Sequence, residues 1–233
     1  MEEKLKRGVF YGVGVGPGDP ELMTLKAIRT LERCQVIATP QTKSGEMLAL
    51  QIAQGAVSLE GKEILPLHFT MERDPQRLQI SHQTAAAQVE AHLAAGRDVA
   101  MLNLGDVSIY STYAYLMEIL QRKGYRTEMI PGVPSFCAVA ARLGVSLTEM
   151  GTPLHIAPGS APLDELLPLP GTKVFMKSGR QLPEVLDALR ESGQIERSML
   201  VENCGLPGER TFENLAQSAP EAGGYFATLI VKE

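Results

Sequence analysis

The chain has 233 residues, of which 44% are hydrophobic and 21% charged, and its net charge is −5 at pH 7. This composition excludes a largely disordered chain, because it provides enough apolar surface for a folded core. The mild acidity argues against a nucleic-acid backbone or an anionic membrane as a partner, and we expect neither.

Cysteine and histidine usage predicts a cytoplasmic protein without a metal site. Cys34, Cys137 and Cys204 are far apart in sequence and form no C-x-x-C pair, which is typical of a reducing compartment. The histidines show no H-x-x-x-H or H-E-x-x-H spacing, and His82 and His92 are expected to be solvated. The sequence has no apolar run near the roughly 20 residues that span a bilayer. Its start, MEEKLKR, lacks the apolar stretch of a signal peptide.

Short apolar runs alternate with helical patterns up to Leu143, which predicts βαβ units and a largely parallel sheet. The predicted strands are Val9 to Val15, Val36 to Ala38, Glu63 to Leu67, Val99 to Leu104 and Arg126 to Ile130. The predicted helices are one that follows Asp19, Met47 to Val57, Asp74 to near Gly96, Thr112 to Lys123 and Ser135 to Leu143. In the first helix, Asp19 is expected as the N-cap, with an apolar face of Leu22, Leu25, Ile28 and Leu31.

The composition of the sequence changes after Gly144, where glycine and proline become frequent. The predicted strands here are Leu154 to Ala157, Lys173 to Lys177, Met199 to Asn203 and Tyr225 to Val231, with a helix from Pro183 to Ser192. A GLPGER turn between the last two strands predicts that they form an antiparallel pair. We therefore expect two α/β domains, residues 1–130 and 131–233.

The first glycine-rich segment, GVGVGPGD at residues 12–19, does not fit the dinucleotide fingerprint G-x-G-x-x-G. The third glycine of this fingerprint is needed for close packing of the helix on the strand. If the motif starts at Gly12, Pro17 occupies the position of that third glycine, and if it starts at Gly14, Asp19 occupies it. Two interpretations remain open. The segment is either a tight turn between strand and helix, or a place where the bare backbone of Gly14, Gly16 and Gly18 lets a large ligand approach.

The segment NLGDVSIYST, residues 103–112, follows a buried strand and carries Gly105 and Asp106 at its carboxyl end. In open α/β sheets, ligands bind at the carboxyl ends of the strands. Asp106 offers a carboxylate for hydroxyl or cationic groups. Ser111 and Thr112 could donate hydrogen bonds to a ligand or could cap the next helix. The sequence contains neither the G-x-S-x-G elbow of serine hydrolases nor the G-K-[ST] of P-loop enzymes.

The ordered set VGVGPGDPELMTLKA, LNLGD, IPGVPSF and VENCGLPGER resembles the tetrapyrrole (corrin/porphyrin) methyltransferase family over essentially the whole chain. The segments LPLHFTM, residues 65–71, and GDVSIYST resemble the branch that methylates precorrin-2 or cobalt-factor II at C-20 in cobalamin biosynthesis. GDVSIYST favours the anaerobic, cobalt-early version of that pathway. The alternatives are methylation at C-11 or C-17, a diphthamide-type protein methylase of the same fold, or a non-catalytic ligand-binding module.

The resemblance implies two α/β domains with a cofactor cleft between them, and a homodimer. It implies S-adenosyl-L-methionine as methyl donor, bound in a folded conformation, with S-adenosyl-L-homocysteine as product. The cofactor-binding residues that it implies are Pro17, Leu104, Gly105, Asp106, Ile109, Pro134, Ser135, Met176 and Cys204. Leu104 to Asp106 would contact the methionine and ribose portions, and Met176 the adenine.

The sequence departs from the family at two of these places. Pro134 and Ser135 stand where the family often has Thr-Ala, and Cys204 stands where relatives often carry glycine. The resemblance also implies cations for the acetate and propionate groups of a tetrapyrrole substrate. The candidate substrate-binding residues are Gly16, Lys43, Lys177 and Arg180, with Arg7 as a further candidate. We assign no catalytic base, because the sulfonium of the donor is already a good leaving group.

Overall fold

The computed structural model describes residues 7–70, 74–221, 223–224 and 226–233. Three parts of the sequence analysis fall outside these residues: most of the MEEKLKR start, Met71 of the LPLHFTM segment, and Tyr225 at the expected start of the last strand. The chain divides into two compact units, residues 1–134 (unit 1) and 135–233 (unit 2). Residues 131–134 therefore pack with unit 1.

Unit 1 is built on a sheet of five parallel strands in the order β3-β2-β4-β1-β5. The strands are β1 Val9–Gly14, β2 Val36–Gln41, β3 Glu63–His68, β4 Val99–Asn103 and β5 Arg126–Ile130. The helices are α1 Leu25–Arg33, α2 Leu48–Ala56, α3 Pro75–Ala94 and α4 Tyr113–Arg122. All strands and helices expected in this part of the chain are therefore present.

The central strands of unit 1 are buried because helices cover them, as a parallel sheet requires. Phe10 and Met101 are fully buried, and they pack in one core with residues of α3 and α4. Tyr113, also fully buried, lies against Gly12 of β1. A Cβ atom at Gly12 would come within 2.7 Å of the Tyr113 ring, so only glycine leaves room for it. This contact places the start of α4 against the middle of β1.

The first helix begins later than the sequence predicts. Asp19 does act as an N-cap, but it caps a short 3-10 helix, Pro20–Leu22, by accepting a hydrogen bond from the N–H of Glu21. Helix α1 begins at Leu25, and the Thr24 side chain caps it by accepting from the N–H of Ala27. Leu25 is consequently 69% exposed, so its predicted place on the apolar face is wrong.

Unit 2 contains a mixed sheet in the order β6-β7-β10-β8-β9. Its strands are β6 Leu154–Pro158, β7 Thr172–Met176, β8 Ser198–Glu202, β9 Arg210–Phe212 and β10 Ala227–Val231. Its helices are α5 Ser135–Leu143, α6 Leu163–Leu166 and α7 Leu182–Glu191. Strands β6 and β7 are parallel, and the other pairs are antiparallel.

The predicted antiparallel pairing of the last two expected strands is confirmed, since β8 pairs with β10. The GLPGER turn, however, leads from β8 into β9 and not into β10. The sequence analysis missed β9 because it is a mostly exposed strand of only three residues. Among the described residues no helix is long and apolar enough to cross a lipid bilayer.

Candidate functional site

Three glycines meet at the carboxyl ends of the adjacent strands β4, β1 and β5. Gly14 ends β1, while Gly105 and Gly132 lie two residues beyond the ends of β4 and β5. A Cβ atom at Gly14 would lie 2.7 Å from the Gly105 carbonyl oxygen and 2.7 Å from the Gly132 nitrogen. A Cβ atom at Gly132 would lie 2.3 Å from the same carbonyl oxygen. We call these residues the glycine cluster, and any side chain there would force the three segments apart.

A small antiparallel bridge extends this contact beyond the ends of the strands. The N–H of Gly105 donates to the Gly16 carbonyl at 2.8 Å, and the N–H of Gly16 donates to the Gly105 carbonyl at 3.3 Å. Both residues have positive φ, +78° at Gly16 and +67° at Gly105. Glycine adopts this conformation without the strain that a side chain would cause. The structure therefore shows the tight turn of the first interpretation, and the approach of a ligand to this backbone stays a prediction.

Asp106 is held by hydrogen bonds on both carboxylate oxygens. Oδ1 accepts from the N–H of Ser108 at 2.8 Å and also from the Ser108 hydroxyl. Oδ2 accepts from the N–H of Gly132 at 2.9 Å. The side chain is half-buried. The carboxylate thus has a fixed orientation at the strand ends while part of it still faces solvent.

These hydrogen bonds also set the charge of Asp106. Burial acts to raise the pKa of the carboxyl, but the bonds from Ser108, Gly132 and Val107 act in the opposite direction and outweigh it. The pKa of Asp106 therefore lies below its ordinary value of 3.8, and the group is ionised at neutral pH. An ionised, oriented carboxylate fits the hydroxyl and ammonium groups of an amino-acid nucleoside such as S-adenosyl-L-methionine.

Most of the other unit 1 candidates lie at the same edge of the sheet. Leu104 and Ile109 are half-buried in the segment that carries Asp106, and Pro17 is half-buried next to Gly16. Lys43 is exposed in the loop after β2, the neighbour of β4. Pro134 is half-buried after β5, as the last residue of unit 1.

Arg7 lies elsewhere. It precedes β1 and therefore sits at the amino edge of the parallel sheet, opposite to the glycine cluster. Its guanidinium donates to the Lys123 carbonyl and lies over the Tyr125 ring, 4.9 Å from the centroid. The structure therefore does not bring Arg7 to the other candidates.

In unit 2, Met176, Lys177 and Ser178 follow one another at the carboxyl end of β7. Met176 is buried, and Lys177 is an exposed residue with a positive φ of 55°. Desolvation by neighbouring atoms lowers the pKa of Lys177 below its ordinary value. Ser178 is fully buried, and its hydroxyl has no hydrogen-bond partner among the described residues.

Ser135 and Arg180 differ in their surroundings. Ser135 begins α5, and its hydroxyl lies 3.3 Å from that of Thr228 in β10. The Ser135 hydroxyl therefore contacts the sheet of unit 2.

Arg180 is exposed in a 3-10 helix, Gly179–Gln181, which begins two residues after Lys177. The cations Lys177 and Arg180 thus occur in one short segment after β7.

Cys204 stands in the turn after β8, where Asn203 has a positive φ of 52°. Burial, followed by the nearby Glu209 carboxylate, raises the pKa of the Cys204 thiol to about 11, although Arg142 opposes the rise. The thiol is therefore neutral at physiological pH. The turn is closed by Glu209, which accepts from the N–H of Gly205 at 2.7 Å. Cys204 is accommodated in this turn as a partly buried, neutral thiol.

Glu202 is a residue that the sequence analysis missed. Its side chain is almost fully buried, and it accepts from Arg210 Nε at 2.7 Å and from the N–H of Gly224 at 3.0 Å. Gly224 in turn touches Gly179, where an added Cβ would lie 2.5 Å from the Gly224 carbonyl oxygen. Glu202 thereby holds the segment that packs against Gly179. The only sequence signal is a charged residue at the end of an apolar strand.

Two expectations about other sites can be compared with the structure. His82 is not simply solvated, because it stacks on Tyr115 with ring centroids 4.5 Å apart and burial lowers its pKa.

An open depression of about 800 Å³ lies at the amino edge of the unit 1 sheet, lined by residues that include Arg33 and Lys62. It contains none of the predicted site residues. Within the described ranges, no cluster of three or more His, Cys, Asp or Glu residues could hold a metal ion.

The family described as Tetrapyrrole (Corrin/Porphyrin) Methylases matches residues 9–220 of this chain. The chain belongs to this family. It is therefore a methyltransferase, and the resemblance based on the ordered motifs is confirmed. The predicted α/β fold class is confirmed as well, both by the two sheets with their helices and by the solved structures of family members.

Individual members of the tetrapyrrole methylase family match the chain over nearly its full length. The precorrin-2 C(20)-methyltransferase of a Sinorhizobium species is 34% identical over 96% of this chain and 95% of that protein. The cobalt-precorrin-2 C(20)-methyltransferase of Salmonella typhimurium is 30% identical over 97% of both proteins. The structure of uroporphyrin-III C-methyltransferase from Thermus thermophilus, complexed with S-adenyl homocysteine, covers 97% of this chain at 25% identity, with a TM-score of 0.70.

Proposed function

We propose that this chain transfers a methyl group from S-adenosyl-L-methionine to C-20 of cobalt-factor II (cobalt-precorrin-2) in cobalamin biosynthesis. The observation that carries the proposal is the near full-length match to two relatives named as C-20 methyltransferases of precorrin-2 and cobalt-precorrin-2. The choice of the cobalt-containing substrate, and so of the anaerobic pathway, rests on the GDVSIYST segment.

The cofactor-binding role of unit 1 is assigned to the carboxyl edge of its sheet. Asp106 would accept hydrogen bonds from hydroxyl or ammonium groups of the cofactor, because its carboxylate is ionised and held in one orientation. Leu104 and Ile109 would contact the aliphatic part of the cofactor. Gly105 would contact the cofactor through its backbone, and Pro17 through its ring. In unit 2, Met176, Ser135 and Cys204 remain the proposed cofactor contacts.

When bound, S-adenosyl-L-methionine supplies a methyl group on a sulfonium, which is a good leaving group. The residues of the chain therefore have to hold donor and acceptor in line and exclude water. Positioning of this kind can lower a barrier by roughly 7–11 kcal/mol in well-aligned systems. Lys43, Lys177 and Arg180 would bind the substrate carboxylates, and Gly16 would lie close to the macrocycle. We assign no general base.

The assembly and the location of the enzyme are further parts of the proposal. By its family resemblance the protein forms a homodimer and acts in the cytoplasm on a small-molecule tetrapyrrole. Size-exclusion chromatography with light scattering measures the dimer directly. A monomer at micromolar concentration would contradict that part of the proposal without affecting the reaction.

The reaction is tested by supplying the donor with a ¹³C-labelled methyl group and either cobalt-factor II or metal-free precorrin-2. We expect the tetrapyrrole product to gain one methyl group, and the NMR spectrum to place the label at C-20. Faster turnover of cobalt-factor II would support the cobalt-early assignment, and faster turnover of precorrin-2 would overturn it. A label at C-11 or C-17, or no methylation of either tetrapyrrole, would overturn the proposed function.

A further inference from the structure

The segment between β4 and α4, residues 104–112, is held by hydrogen bonds near its start and at its end. We call it the 104–112 loop. Near its start, Gly105 is bridged to Gly16, and the next residue, Asp106, accepts from the N–H of Gly132. At its end, the Ser111 hydroxyl donates to Oδ1 of Asn103 at 2.7 Å. This last bond closes the loop onto the strand from which it departs.

The Asn103–Ser111 bond belongs to a chain of hydrogen bonds that all run in one direction. The N–H of Tyr113 donates to the Ser111 oxygen at 3.2 Å, which leaves the single hydroxyl proton of Ser111 for Asn103 Oδ1. Nδ2 of Asn103 then donates to the Met101 carbonyl at 2.9 Å. Chains of this kind polarise one another and are stronger than their separate bonds suggest.

Both outer ends of this chain of bonds lie in rigid structure. Asn103 is only 5% exposed, and its own carbonyl accepts from the N–H of Val15 beside β1. Tyr113 is fully buried, and its single hydroxyl proton is shared between the carbonyls of Phe10 and Glu128, each 3.1 Å from the hydroxyl oxygen. Asn103 and Ser111 therefore join the two fixed ends of a loop whose interior carries the proposed cofactor contacts Leu104, Asp106 and Ile109.

We propose that Asn103 and Ser111 are positioning residues for cofactor binding, because their hydrogen bond closes the 104–112 loop in the conformation that presents Asp106. This inference rests on the proposed cofactor role of the loop. Neither residue needs to touch the cofactor. Loss of the bond would let the loop sample other conformations, and binding would then have to restore order in it.

Calorimetry with S-adenosyl-L-homocysteine, combined with hydrogen exchange on the free chain, tests the inference. Ser111→Ala removes the bond to Asn103 and also the acceptor of the Tyr113 N–H, and we expect the dissociation constant to rise about tenfold, the size expected for the loss of partly buried hydrogen bonds. Amide exchange should accelerate within residues 104–112 and stay unchanged elsewhere in unit 1. Ser111→Thr keeps the hydroxyl and should restore both measurements. KM for the methyl donor should rise, while kcat at saturating donor falls far less.

A second pair of residues provides a matched control. Gln121 and Thr127 form another amide–hydroxyl bond, 2.7 Å long, but on the exposed surface of unit 1. Gln121→Ala should change neither cofactor affinity nor loop exchange. If Asn103 and Ser111 act through one bond, the double variant Asn103→Ala/Ser111→Ala should bind no more weakly than the worse single variant.

The outcomes separate this inference from the proposed function. Affinity of Ser111→Ala within about twofold of the original chain would overturn the inference, as would faster exchange spread evenly over unit 1 or failure of Ser111→Thr to restore binding. If the original chain itself does not bind S-adenosyl-L-homocysteine, the proposed function fails instead. The exchange measurement would in that case still decide whether the bond closes the loop.

Discussion

The N–H of Gly132 donates a hydrogen bond of 2.9 Å to Oδ2 of Asp106, across 26 positions of sequence. The bond joins the segment after β4 to the segment after β5, and these two strands flank β1 in the sheet. One carboxylate thereby connects the ends of strands that are not themselves neighbours. The glycine cluster makes this possible, since a side chain at Gly132 would collide with the Gly105 carbonyl.

Asp106 should stabilise the folded chain only while it is ionised. Its folded-state pKa lies below the ordinary value of 3.8, so its contribution is present above that value and is lost as the pH falls through the folded pKa. Asp106→Asn should therefore reduce the free energy of unfolding by roughly 1–2 kcal/mol at neutral pH. In urea titrations, the difference from the original chain should shrink below about pH 4. A difference that is constant with pH would contradict this prediction.

Gly132→Ala should destabilise unit 1 through steric overlap. The new Cβ would lie 2.3 Å from the Gly105 carbonyl oxygen and 2.9 Å from the Gly14 Cα, and both contacts are with backbone that cannot rotate away. We expect a loss of roughly 1–3 kcal/mol in thermal or urea unfolding. Gly224→Ala is the control, because nothing lies within 4 Å of a Cβ at that position. Equal stability of the two variants would show that the glycine cluster can separate at little cost.

Glu202→Gln should weaken unit 2. The carboxylate accepts from Arg210 on one oxygen and from the N–H of Gly224 on the other, whereas an amide offers only one oxygen. Because Glu202 is 1% exposed, water cannot replace the lost acceptor, and we expect a loss of roughly 1–3 kcal/mol in chemical unfolding.

Glu118→Gln is the matched control for the Glu202 variant. Glu118 pairs with Arg122 on the exposed surface of α4. Its loss should therefore change the free energy of unfolding by less than about 0.5 kcal/mol. A similar small effect at both positions would mean that the buried contacts of Glu202 contribute no more than an exposed ion pair.

Lys177→Gln should weaken the binding of the tetrapyrrole. The side chain carries an exposed cation at the end of β7, and an interaction with a substrate carboxylate is expected to be worth about 1–2 kcal/mol. KM for the tetrapyrrole should therefore rise about tenfold, with little change in the affinity for S-adenosyl-L-homocysteine. Glutamine suits the positive φ of 55° better than a β-branched residue would.

Two further variants complete the Lys177 experiment. Lys177→Arg retains the charge and should recover most of the tetrapyrrole affinity. Lys26→Gln removes a cation of α1 that pairs with Glu128 of β5, and it should leave KM unchanged. If Lys177→Gln and Lys26→Gln behave alike in steady-state kinetics, Lys177 does not bind the substrate carboxylates.

Local sequence patterns were sufficient to predict the elements of unit 1. Buried strands such as Val99–Asn103 are continuous apolar runs, and glycine, proline and N-cap residues mark their boundaries. The start of α1 was predicted wrongly because Asp19 and Thr24 are both good N-cap residues. Local preference cannot choose between them, and the choice follows from which turn packs against the rest of the unit.

The sequence by itself determined the order of the strands and α-helices of unit 1, the glycine-rich turns and the presence of Asp106 at the end of a buried strand. The tertiary structure alone decided the partners: Gly132 for Asp106, Asn103 for Ser111, and Arg210 for Glu202. Secondary structure depends on neighbours a few residues away, so it leaves a periodic signal in the sequence. A hydrogen bond between two strand ends leaves none, because it forms only when the parallel sheet brings those ends to one edge.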